Sequence, residues 1–151
     1  MIAMCAAFPL RLARTLGLAL VLTILAGCGD GGSKAVTVTG KVVYKPNGEP
    51  ATLLAGGSVC LQSVTDPENK PVGRIDDDGT FFLGTTMGEK NLGGVLPGEY
   101  RVRVVPPQNE AGRTARGLIE PRYMSFEKSG ITQTIAAGKN EITIAVERPK
   151  R

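Results

Sequence analysis

The chain has 151 residues, of which 42% are hydrophobic, 20 are Gly and 10 are Pro, and its formal net charge is +4. That is one domain's worth of polypeptide, long enough for a single core. With no His and no Trp, it lacks the commonest general base and the commonest transition-metal ligand, which excludes Ser/His and Cys/His nucleophilic pairs; its charge excess is also far short of a nucleic-acid-binding balance.

Residues 1–27 read as an export signal: Arg11 and Arg14 precede an apolar run over residues 16–26, and small residues follow. The run is too short for a spanning helix, which needs roughly 20 residues. The apolar stretch then stops at Leu25-Ala26-Gly27-Cys28. These four residues resemble the lipobox of bacterial lipoproteins, in which a small-residue site is cleaved just before a cysteine. The resemblance implies a diacylglyceryl thioether on Cys28 and an N-acyl chain after cleavage. Each buried methylene contributes about 0.8 kcal/mol, so one chain holds marginally and two or three anchor stably. An exported lipoprotein anchored in the cell envelope is therefore expected, with inner and outer membrane both open.

Residues 28–35 form a flexible tether, Gly29-Asp30-Gly31-Gly32-Ser33-Lys34 having no side chain that could pack. Its reach of about 20 Å would keep the domain close to the headgroups. If Cys5 leaves with the signal and Cys28 carries lipid, Cys60 has no internal disulfide partner. Without a His beside it, Cys60 reads as a small hydrophobe on a strand.

Residues 36–148 break into short alternating runs separated by turn residues, and no apolar period of 3.6 is sustained. "VTVTGKVVY" puts Val36, Val38, Gly40, Val42 and Tyr44 on one face and Thr37, Thr39 and Lys41 on the other. Asn47-Gly48 then suits a tight turn with positive φ. "GGSVCLQSV" turns Val59 and Leu61 inward and leaves Cys60 and Gln62 outward. "PVGRI" and "GTFFLG" flank Asp76-Asp77-Asp78-Gly79 as a hairpin. Leu96-Pro97-Gly98 fits a type II turn leading into "GEYRVRVVPP", with Tyr100, Val102 and Val104 inward and Arg101 and Arg103 outward. Two closing strands, around residues 131–135 and 141–147, are joined by Gly138-Lys139-Asn140. The expected fold is all-β, an antiparallel seven-stranded β-sandwich with long loops over residues 85–96 and 107–129.

"VTGKVVYKPNGEP", "GRIDDDGTFFL", "LPGEYRVRV" and "AGKNEITIAVE", in that order, resemble the carboxypeptidase regulatory-like domains, small transthyretin-like sandwiches of bacterial cell-surface proteins. Ile119-Glu120-Pro121-Arg122-Tyr123 is similar to a segment that precedes the last two strands in lipoproteins carrying this domain, although Glu120 is an insertion relative to it. The resemblance implies a scaffold without an active site. A purine-pathway hydrolase shares the transthyretin-like fold but relies on histidines and a C-terminal tetrapeptide beginning tyrosine, arginine, glycine; this chain has no His and ends Pro149-Lys150-Arg151.

The acidic run invites a calcium reading through Asp76 and Asp78. With Gly79 at position 6 of an EF-hand loop, however, Arg74 falls at position 1 and Thr85 at position 12, so both ends fail. A solvated hairpin turn is the plainer reading. Arg101 and Arg103, with Lys41 on a neighbouring strand, read first as a solvated face and second as a basic surface. Arg113 and Arg116 in "QNEAGRTARG" read the same way. The expectation is a non-catalytic binding or structural module, with no metal and no cofactor beyond the lipid on Cys28. It would act on another envelope protein or a surface polysaccharide, with no nucleic acid involved. The alternatives are a calcium-assisted glycan binder, which the scarcity of aromatic platforms disfavours, and an accessory hydrolase using Glu110 and Glu120.

Overall fold

A computed structural model describes residues 34–87, 90–91 and 93–150, all within the unit Gly32–Arg151. The export signal, the lipobox Leu25-Ala26-Gly27, Cys28 and the tether up to Ser33 lie outside the described residues. Among the described residues no helix is long and apolar enough to cross a membrane.

In chain order the strands are β1 (Val38–Tyr44), β2 (Glu49–Pro50), β3 (Ser58–Ser63), β4 (Val72–Arg74), β5 (Thr80–Leu83), β6 (Thr86–Met87), β7 (Lys90–Asn91), β8 (Gly98–Val105), β9 (Thr132–Ile135) and β10 (Asn140–Val146). Single 3-10 turns occupy Thr52–Leu54 and Pro121–Met124. The fold is all-β with two main sheets. One has β1 at its centre, with β10 on one side and β2 and β5 sharing the other; the second runs β4-β3-β8-β9. A small ribbon, β6-β7, stands apart from both. Ten strands are described where seven were expected, and three of them are only two residues long.

The expected antiparallel arrangement needs one correction. β1 and β10 run parallel, in register from Val38 beside Asn140 to Tyr44 beside Val146. The cause lies at Gly138-Lys139-Asn140, which does not fold β9 back onto β10. The chain crosses there from the second sheet, where β9 pairs with β8, to the first. The Asn140 side chain braces this crossing: its Nδ2 donates to the carbonyls of Ala136 and Gly138, both at 2.9 Å, and its Oδ1 accepts from the Ala136 N–H. The acidic hairpin likewise joins the sheets. β4 and β5 are bridged at Val72–Gly84 and Ile75–Phe81, yet β4 pairs with β3 and β5 with β1.

The inward faces predicted from alternation form the core. Val38, Val42 and Tyr44 of β1, Val59 and Leu61 of β3, and Tyr100, Val102 and Val104 of β8 belong to one buried cluster, which Ile142, Ile144 and Val146 of β10 join. A fully buried side chain of this size stabilises the fold by about 1.5–3 kcal/mol. Gly48 takes φ +71° in the first turn, as Asn47-Gly48 predicted.

Two local expectations are corrected. Cys60 lies on the outward face of β3 but is buried, 8% exposed. It is paired with Arg103 and Val72 on its two neighbouring strands. Pro97-Gly98 does not make a type II turn either, since Gly98 has φ +155° and already pairs with Ile135 in β8. The Leu96 carbonyl instead accepts the Tyr100 hydroxyl at 2.7 Å, and the Asn69 amide donates to the same hydroxyl at 3.0 Å.

This Tyr100 lock has a pH signature. Burial pushes the Tyr100 phenol above its ordinary 10.0, opposed by the Asn69 hydrogen bond and reinforced by the charge of Asp66. A pKa raised in the folded state gives a contribution fully present below the unfolded value and lost as pH rises through the folded one. Tyr100→Phe should cost about 1–3 kcal/mol at pH 7, because the buried Asn69 amide loses its partner. The gap between variant and wild-type urea midpoints should narrow above about pH 10. A gap constant to pH 11 would separate the lock from the phenol's ionisation.

Candidate functional site

Three places drew attention in the sequence, and the fold treats them differently. At the hairpin, Asp78 is bound into its own turn: its Oδ1 accepts from the Thr80 N–H at 2.9 Å and the Thr80 hydroxyl at 2.6 Å, and these bonds hold its carboxyl below the usual range. The Gly79 N–H donates to the Asp76 carbonyl, with Gly79 at φ +81°. Asp76, Asp77 and Asp78 share their shallow concavity with Arg74. Among the described residues no three His, Cys, Asp or Glu side chains are grouped to hold a metal.

The second place, Arg101 and Arg103, is the solvated face expected only in part, Arg101 being exposed and Arg103 half-buried. Lys41 belongs to β1 in the other sheet. Arg103 lies over the Phe126 ring, 4.7 Å from its centroid, and its Nε is buried without a hydrogen-bond partner. Glu127 answers the charge of both arginines. Its carboxyl is lowered chiefly by the Ser125 hydroxyl at 2.7 Å and further by Arg101 and Arg103.

The third place is the long segment after β8, which the fold shapes into a cleft of about 940 Å³. Its upper part is a small loop pinned at its base by a bridge between Gln108 and Thr114. Inside the loop, Asn109 Oδ1 accepts from the backbone N–H groups of Ala111 and Arg113 at 3.1 and 2.9 Å. This self-contained turn leaves Arg113 and Arg116 projecting, both exposed. The floor is aliphatic, with Pro106, Ile119, Pro121 and Met124. Ile119 is buried and reaches the core, while Met124 remains 37% exposed.

The floor is fixed by a brace that the sequence did not reveal. Arg122 Nε lies 3.0 Å from Glu120, its Nη2 lies 3.0 Å from Glu147 and donates to the Tyr123 hydroxyl at 2.8 Å, and its guanidinium sits over the Tyr123 ring. The Glu120 N–H donates to the Glu147 carbonyl at 2.9 Å, which ties the segment to the end of β10. Glu120, a candidate carboxylate for hydrolysis, is thus an ion-pair partner, and Glu110 is exposed on the loop. The signal that could have found the brace was Glu120-Pro121-Arg122-Tyr123 itself, an acid and a base flanking a proline ahead of an aromatic.

No protein-family model matches the chain, and no curated protein is similar to it. Among solved structures it is similar to a DUF3823 family protein from Parabacteroides merdae, with 17% identity over 77% of this chain and 47% of that one and a TM-score of 0.42. A DUF3823 family protein from Bacteroides uniformis is 21% identical over 76% of this chain and 43% of that one, with a TM-score of 0.43. The major pilin subunit of Bacillus cereus is 13% identical over 78% of this chain and 30% of that one, with a TM-score of 0.45. The chain spans less than half the length of each of these structures.

Proposed function

We propose that this chain is an exported lipoprotein of the cell envelope, anchored through Cys28, whose β-sandwich is a non-catalytic module that binds another envelope protein. We assign the sandwich to the carboxypeptidase regulatory-like, transthyretin-like type on the ordered strand and turn motifs quoted above. The observation that carries the binding role is the cleft after β8. Its lining offers guanidinium groups and aliphatic surface on a floor tied to Glu147 by the Arg122 brace. That is the make-up of a recognition site, apolar area with a few placed polar groups. Anchoring rests on Leu25-Ala26-Gly27-Cys28 behind an apolar run.

Intact mass and membrane fractionation of the native protein beside a Cys28→Ser variant test the anchor. The wild type should lose residues 1–27, gain acyl mass and pellet with membranes, and the variant should stay soluble. Equal solubility of both, without acyl mass, would overturn the anchor.

A further inference from the structure

We infer that the cleft formed by residues 106–124 is a docking site for an acidic peptide segment of a partner protein, one in which carboxylates alternate with aliphatic side chains. The inference deepens the binding role proposed above by naming the ligand class.

Charge complementarity is the first argument. Arg113 and Arg116 line the cleft together, no Asp or Glu lines it, and no ion pair of the described residues uses either arginine. Three other arginines are engaged with side chains of the domain itself, while Arg74 and Arg101 likewise enter no described ion pair. Arg122 is paired to Glu120 and Glu147, Arg103 lies over Phe126, and Arg148 lies over Tyr44. A planar guanidinium takes a carboxylate through two parallel N–H donors, so two of them on one loop suit a ligand with repeated carboxylates.

The floor supplies the second argument. Pro106, Ile119, Pro121 and Met124 are aliphatic, and no aromatic ring lines the cleft. A pyranose ring would ask for an aromatic platform, whereas a leucine or valine side chain packs on Met and Pro surface. The volume of about 940 Å³ lies within the range of roughly 300–1,000 Å³ usual for ligand sites. The Asn109 turn spends its own hydrogen bonds internally, so the loop holds its shape before a ligand arrives, and that lowers the ordering cost of binding.

The test uses the full chain in detergent and fluorescence anisotropy of a labelled hexapeptide of alternating glutamate and leucine. Saturable binding is expected to the wild type, weakened by about tenfold or more in Arg113→Glu with Arg116→Glu. Arg113→Gln with Arg116→Gln repeats the measurement without introducing repulsion, and an unchanged thermal midpoint shows that the loop variants are folded. Met124→Ser should weaken the glutamate–leucine peptide and leave a glutamate–serine peptide unaffected. Absence of saturable binding, or equal affinity in the arginine variants, would overturn the assignment. So would an oligogalacturonate that binds in an arginine-dependent way where the peptide does not. Full-chain Cys28→Ser carries the same cleft without the acylated cysteine. Peptide binding by that variant leaves this assignment standing even if the anchor fails, and a lipidated wild type that ignores the peptide sinks this assignment alone.

Discussion

Gly40→Ala is expected to lower the unfolding free energy by about 2–3 kcal/mol, read as a drop in urea midpoint at unchanged slope. Gly40 sits in β1 where β10 and β5 close on it from both sides, beside Ile142 and Phe81. An added Cβ would lie 2.5 Å from the Ile142 carbonyl oxygen and 2.5 Å from the Phe81 ring. The Phe81 ring is buried in the core, and the carbonyl belongs to a backbone held by the parallel ladder. Relief therefore requires β1 and β10 to separate, or β1 to shift across the core. Gly84 is the internal control: a Cβ there meets nothing within 4 Å, and its φ carries no penalty. Gly84→Ala should be neutral or stabilising by up to about 1 kcal/mol, through loss of freedom in the unfolded chain. Equal midpoints for the two variants would show that the strands flanking Gly40 stand farther apart than described.

Tyr123→Ala should cost about 3–5 kcal/mol, the range for removing a large buried ring. Tyr123 is 2% exposed and belongs to the core cluster although it comes from a 3-10 turn in an otherwise irregular segment. It is the point at which the chain between β8 and β9 is pegged into the sandwich. Without it the floor residues Ile119, Pro121 and Met124 lose their support, so affinity for the glutamate–leucine peptide should fall along with stability. Tyr123→Phe separates the two contributions of the residue. It keeps the ring and loses only the bond from Arg122, for an expected cost below about 1.5 kcal/mol. Arg122→Ala should cost about 1 kcal/mol or less, because its ion pairs are solvent-accessible. A Tyr123→Ala protein with wild-type stability would mean that the segment is held by its loops instead of by the ring.

Period-two alternation made the strands legible, since each inward face in β1, β3 and β8 had only to be buried to become core. Turn chemistry was legible where one residue decides the backbone, as at Gly48 and Gly79. Pairing was not, because alternation says which face is buried and nothing about which strand lies alongside. Hence sequence order suggests an antiparallel β10, while the structure sets it parallel to β1. Cys60 was legible as a small hydrophobe on the outward face, but its burial there was not, because alternation does not say what covers that face. The cleft was half legible. Arg113 and Arg116 stood out as charges on a polar loop, but Met124 and Ile119 become its floor only through the Tyr123 peg in the core and the pairing of Arg122 with Glu147, 25 residues on in sequence.

The parallel pairing of β1 with β10 has a mechanical consequence. The chain runs into β1 at Val38 and out of β10 at Val146, which lie at opposite ends of the shared ladder. The cleft segment is tied to the outgoing end, where the Glu120 N–H meets the Glu147 carbonyl. Traction between the leading end of β1 and a partner seated on that segment would make the two strands slide past one another. All seven matched residue pairs would then share the load at once. Had the strands run antiparallel, the same pull would have unzipped them one bond after another.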